Sequence, residues 1–148
     1  MHFYKTYTIE KRNNEKEDRT TSIANSEKDN DAKNTTNQSF DITELTKEKV
    51  VVQFVKDNHE LPDCYIKKSE ARRKGWEPSK GNLCEVLPGK AIGGDKFSNR
   101  EGQLPKGEQY YEADINFSCG HRQTDRMIFT KNGDVWVTHN HYKSFEKQ

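Results

Sequence analysis

The chain has 148 residues, of which 30% are hydrophobic and 33% charged, so it has the length of one domain but little apolar material to fill it. Lys and Arg total 25 against 24 Asp and Glu, a near-balance that excludes a global basic field of the kind that advertises nucleic acid. No run approaches 18 apolar residues, which excludes a transmembrane helix.

The apolar deficit lies at the N-terminus. Between Tyr7 and Phe40 the only apolar side chains are Ile9, Ile23, Ala24 and Ala32. Residues 1–38 carry seven charges of each sign among Asn, Ser and Thr, too little apolar surface to offset ordering entropy. We therefore expect a disordered polar tail or linker over 1–38 and a globular domain over 39–148, with a modest core. The start, Met1-His2-Phe3-Tyr4-Lys5, lacks the apolar stretch of a signal peptide. The expectation is that an export segment is missing from this sequence or that the protein is handled by another route.

Within the domain, Thr43 or Thr46 is placed to cap a helix running to about Asn58, with Val51, Phe54 and Val55 at i, i+3 and i+4. His59 falls at its end, where the helix dipole favours a cation, and Pro62 stops it. Ser69 reads as the N-cap of a second helix that ends at Gly75. A short third helical turn fits Leu83–Val86. The period then changes to that of strands: Ala91–Lys96, Gln109–Phe117, Asp125–Thr130, Val135–His139 and a short one near Ser144-Phe145. Asn132-Gly133 signals a hairpin between two of them. Helices followed by hairpin-linked strands predict an α+β fold, with N-terminal helices packed on a four- to five-stranded antiparallel sheet.

Three groups in the strand region carry chemistry. Glu112 and Asp114 alternate along one strand and share a face. Arg122 and Arg126 flank the start of the next strand. His139 and His141 share a face near the end of the last. A carboxylate, guanidiniums and an imidazole from adjacent strands can form an acid–base site around a phosphate, because the planar arginine fork binds phosphate oxygens in pairs. The same residues also read as surface ion pairs on a sheet, and His139-x-His141 as a metal pair that lacks a third ligand at helpful spacing.

The wording of the segments narrows this. In order they run Leu61-Pro62-Asp63, Tyr65-Ile66, Lys68-Ser69-Glu70-Ala71, Gly75-Trp76 and Ser79-Lys80-Gly81-Asn82-Leu83. Pro88-Gly89-Lys90, Ile92-Gly93-Gly94-Asp95 and Phe97-Ser98-Asn99-Arg100-Glu101-Gly102 follow. Glu112-Ala113-Asp114-Ile115-Asn116, Arg122, Asp125-Arg126 and His141-Tyr142 complete the series. From about Ile42 to Lys147 this resembles the barnase-like, guanyl-preferring bacterial ribonucleases. The resemblance implies a metal-independent endoribonuclease that needs no cofactor. The RNA 2′-OH attacks its own 3′-phosphate, giving a 2′,3′-cyclic phosphate that is slowly hydrolysed to a 3′-phosphate. By that resemblance Glu112 is the general base and His141 the general acid, which calls for a bell-shaped pH profile. Lys68, Arg122 and Arg126 hold the phosphate and stabilise charge in the transition state. Ser98, Asn99, Arg100 and Glu101 form the guanine loop, with the Glu101 carboxylate accepting from the base and the amides of Asn99 and Arg100 donating to it. Phe97 and Tyr142 supply aromatic faces. Asp95 supports the active-site cations, Asp114 partners an arginine, Gly93-Gly94 permits close packing and Trp76 belongs to the core. His139 receives no catalytic role.

Departures from the resembled pattern are Asn140 in place of Asp, Gln103 in place of Lys, and three cysteines where the pattern has none. Placed on that fold, Cys84 and Cys119 form a disulfide and Cys64 is free, which fits a secreted, extracellular life. The resemblance further implies a monomer and an acidic inhibitor protein of the barstar type as partner. Two other readings stay open: the toxic tip of a larger delivery protein with the same chemistry, and a non-catalytic RNA- or protein-binding module.

Overall fold

Eleven residues, Glu48–Asn58, form helix α1, which buries Val51, Val52 and Val55 and leaves Phe54 half-buried. The computed structural model describes residues 42–148; the tail expected over 1–38 lies outside the described residues. Neither Thr43 nor Thr46 caps α1, which is preceded by Lys47 without a side-chain cap. The buried Thr46 hydroxyl instead bonds the Ile42 carbonyl at 2.8 Å and accepts the Phe117 N–H at 3.0 Å. The free N–H of Glu48 is met by Asn116 Oδ1 at 3.1 Å, from 68 residues away. His59 closes the helix in the left-handed region at φ 62°.

Strand β1, Tyr65–Ile66, leads into helix α2, Lys68–Arg73. Ser69 lies inside α2 and does not cap it. The Lys68 N–H is taken by Asp95 Oδ2 at 3.0 Å, so this helix too is capped by a distant residue. Helix α3 spans Leu83–Val86, as expected. Then come β2, Ala91–Phe97, β3, Tyr110–Asp114, β4, Arg126–Phe129, β5, Val135–Thr138, and β6, Glu146–Lys147. The sheet has six strands in chain order. β2 to β6 pair antiparallel, and β1 adds a parallel edge through Tyr65–Ala91 and Ile66–Ile92. Two residues are too few to show a period, which is why β1 was not expected.

Side-chain alternation gives the sheet two faces. Ala113, Met127, Phe129, Val135 and Val137 join the α1 valines in one core. On the opposite face Tyr110, Ile128, Trp136 and Leu104 form a second, with Phe97, Tyr142 and Phe145 packed on it. β4 is therefore buried along its whole length. A third cluster, including Ile42, Ile66, Trp76, Leu83, Ile92 and Phe117, sits under α2 and α3. Beside it Cys84 and Cys119 are bridged, with a Cα–Cα distance of 5.7 Å, and Cys64 is free. A Cβ on Gly93 would lie 2.5 Å from the Tyr65 ring and 2.8 Å from Ala113 Cβ, so only glycine lets β1, β2 and β3 close up here. Gly94, at φ +107°, takes the bulge that re-aims Asp95 towards α2. No described helix is long and apolar enough to cross a membrane.

Candidate active site

The pairing register builds the site. Asp114 stands opposite Arg126, which stands opposite Thr138; Glu112 stands opposite Ile128, and Ile128 opposite Trp136. Both rows lie on the face away from α1. The charged groups thus rise from strands whose neighbouring positions are locked in apolar cores.

Asp114 is the hub, with 3% of its side chain exposed. Its two oxygens accept Arg122 Nε and Nη2, each at 2.8 Å, a paired fork. Arg126 Nε lies 3.1 Å from Asp114 Oδ1, but out of line for a hydrogen bond. Arg126 Nη1 donates instead to the Gln123 and Asp125 carbonyls, the latter at 3.0 Å. Burial works against the Arg122 charge, but the bonds and charge of Asp114 prevail and push its pKa above the ordinary value.

Glu112, with 12% of its side chain exposed, receives Lys68 Nζ at 3.3 Å on one oxygen and the Tyr142 hydroxyl on the other. Burial and then the bond to Glu112 push the Tyr142 phenol well above its ordinary pKa, so Tyr142 remains a proton-bearing donor. Lys68 is aimed by its own backbone, since Asp95 fixes the first turn of α2.

A loop after β5 carries His141 and Tyr142, both in the left-handed region at φ 56° and 73°. Thr138 and Asn140 hold it. Thr138 Oγ1 accepts the Tyr142 N–H at 3.0 Å, and Asn140 Oδ1 accepts from Thr138 Oγ1 and from the N–H groups of Lys143 and Ser144. Asn140 thus performs a loop-building role that an amide oxygen serves as well as a carboxylate. His139 and His141 do not share a face. His139 Nε2 meets Glu48 Oε1 at 2.7 Å, at the start of α1, whereas His141 lines the cavity. β5 ends at Thr138, so strand alternation stops before the two histidines are reached.

The second wall begins at Phe97, whose ring stacks on Tyr142 with centroids 5.3 Å apart. Asn99 clamps Leu104 through both its amide oxygen and nitrogen, at 3.1 and 2.7 Å. This folds 98–102 into an exposed loop. Among the described residues, the backbone N–H groups of Asn99, Arg100 and Glu101 have no intramolecular partner. Gln103 Nε2 reaches the Tyr142 carbonyl at 3.4 Å and ties this wall to the His141 loop.

All the expected residues meet in one open cavity of about 420 Å³. It is lined by the charged set Glu112, Lys68, Arg122, Arg126 and His141 and by the Phe97 to Glu101 segment, with Tyr142 joining the two through its bond to Glu112 and its stack on Phe97. Gln103, a departure from the resembled pattern, also lines it, as do Lys96 and Phe145, which were not anticipated. Nor were the loop-holding role of Thr138 and the Tyr142–Glu112 bond. The i+2 and i+4 spacing of Asn140 and Tyr142 from Thr138 was the available signal for a side-chain-capped loop.

Residues 48–148 match the family model described as ribonuclease. Three curated bacterial proteins named Ribonuclease, from Heyndrickxia coagulans, Bacillus intermedius and Bacillus pumilus, are each 52% identical over 89 residues, 59% of this chain. The matched region covers 82% of the first, and the chain spans about half, 55%, of the length of each of the other two.

Proposed function

The chain belongs to the ribonuclease family, a family of RNA-cleaving enzymes, and we propose that it acts as an endoribonuclease cutting single-stranded RNA 3′ of guanosine. The observation that carries this reading is the gathering in one cavity of one carboxylate, one imidazole and three cations, together with a loop of free backbone donors beside a second carboxylate.

Glu112 accepts the 2′-OH proton while the 2′-oxygen attacks phosphorus. His141 gives its proton to the departing 5′-oxygen, and the product is a 2′,3′-cyclic phosphate. Lys68, Arg122 and Arg126 bind the non-bridging oxygens as their charge grows in the transition state. Hydrolysis of the cyclic ester reverses the two proton roles. Three of these groups are held before substrate arrives: Asp114 orients Arg122, Asp95 orients Lys68, and Tyr142 holds Glu112.

Guanine fits the second wall. Its N1–H and N2–H can both donate to Glu101, and its O6 can accept from the amides of Asn99 and Arg100. Phe97 provides a ring face for stacking. The Cys84–Cys119 bridge supports a secreted protein working in an oxidising compartment. Five cations lining the cavity, Lys68, Lys96, Arg100, Arg122 and Arg126, suit an acidic inhibitor of the barstar type as a second partner.

The test is cleavage of a single-stranded RNA holding one guanosine, in EDTA, beside the matching DNA. Cutting of RNA alone is expected, with kcat reduced about 10²- to 10⁴-fold in both Glu112→Ala and His141→Ala. No cutting by folded wild type contradicts the reading.

A further inference from the structure

Residues 67–74 hold Lys67, Lys68, Arg72, Arg73 and Lys74 against Glu70 alone, a net of four positive charges in eight residues. The whole chain is at +1, so everything outside this segment is net negative. The cluster is a local field on a nearly neutral protein, and it begins at the active site. Lys68 lines the cavity and reaches Glu112. Arg72 follows four residues later on the same face of α2, about 6 Å further along the axis. Glu70, two residues from Lys68, points to another side of the helix, one turn before Arg73 and Lys74, and offsets one of the five positive charges.

Arg72, Arg73 and Lys74 are exposed, and none forms an ion pair with a described residue. Arg72 is nevertheless held: its guanidinium lies 5.4 Å above the ring of Trp76, which is only 4% exposed. A stacked guanidinium keeps its N–H edge available, and that edge matches the spacing of phosphate oxygens. Because Trp76 is buried, it offers no face to a base. The surface can therefore read a strand's backbone but not its sequence.

We propose that the basic end of α2 is a second phosphate-binding surface, which holds backbone phosphates of a longer RNA beyond the one undergoing reaction. This rests on the ribonuclease reading and adds a preference for polymers over the smallest substrates. It places charge where a neutral enzyme meets a polyanion, and leaves the scissile phosphate to Lys68, Arg122 and Arg126.

The test compares the full chain with Arg72→Gln/Arg73→Gln/Lys74→Gln and, to spare the Trp76 contact, with Arg73→Gln/Lys74→Gln. Substrates are a guanosine-containing dinucleotide and a 20-nucleotide single-stranded RNA with one guanosine, across a series of salt concentrations. The expected result is unchanged kcat/KM on the dinucleotide in both variants. On the long RNA the triple variant falls about tenfold at low salt, and the slope of log kcat/KM against log salt flattens by about 2, with about 1.4 for the double variant. An unchanged slope, or an equal loss on both substrates, overturns the second surface while leaving the ribonuclease reading intact. Failure of the wild type to cut either substrate overturns both.

Discussion

The two walls of the cavity differ in how they are held. The Glu112–Asp114–Arg126 wall stands on central strands, with Asp114 3% and Arg126 5% exposed. Its charges are fixed by the sheet register and by one another. The 98–102 loop and the His141 loop are exposed, and side-chain bonds to backbone hold them, chiefly from Asn99, Thr138 and Asn140. The difference teaches a division of labour. Glu112, Asp114 and Arg126 are built into the core, whereas His141, the proposed acid, and the proposed base-reading loop 98–102 ride on segments that can change without unsettling it.

Substitution can break the comparison at its strongest point first. Asp114→Ala leaves two guanidiniums facing each other over a lost carboxylate, one of them nearly buried. We expect a loss of about 3–5 kcal/mol in unfolding free energy, nearer the lower figure because Arg122 can turn towards solvent, together with a drop in kcat. Urea unfolding and single-turnover kinetics check it. Stability within about 0.5 kcal/mol of wild type would show that the register alone holds this wall.

Glu101→Gln probes the other wall. Stability should stay within about 0.5 kcal/mol, since the side chain is exposed. The preference for guanosine over adenosine in kcat/KM should fall by about 10- to 100-fold, the value of hydrogen bonds to a charged acceptor. Equal losses on both bases would move recognition elsewhere.

The smallest effect is expected at the seam between the His141 loop and α1. The bond to Glu48 raises the His139 pKa above 6.5, with smaller help from Asp125 and Glu146, against a modest opposing effect of burial. Protonated His139 is therefore favoured by folding. Its contribution is fully present below the unfolded value and is lost as pH rises through the folded one. His139→Gln should lower Tm more at pH 5.5 than at pH 9, by the equivalent of under about 1 kcal/mol for so exposed a pair. A pH-independent difference would contradict this.

Much of the molecule was legible in the sequence because its signals are local. The Val51–Val55 spacing, the alternation in Glu112-Ala113-Asp114 and the Asn132-Gly133 turn each act within a few residues, and α1, β3 and the β4–β5 hairpin follow them. The helix starts were not legible. Thr46 and Ser69 look like caps in isolation, but the acceptors are Asn116 and Asp95, brought in by tertiary folding. The parallel pairing of β1 depends on Gly93, whose role is visible only once Tyr65 and Ala113 are seen against it. The cavity's charged residues came from the family resemblance joined to the strand pattern. The Tyr142–Glu112 bond joins residues 30 apart, and neither source announced it.

The proposed reaction begins with attack by the 2′-oxygen of guanosine, with Glu112 as base. The direct measurement is cleavage of one RNA in which the single guanosine carries either its 2′-OH or 2′-deoxy sugar, with the product end identified by mass. The expected result is a cut 3′ of guanosine ending in a 2′,3′-cyclic phosphate, and no cut at that position in the 2′-deoxy strand. Cleavage of both strands at the same bond would contradict it.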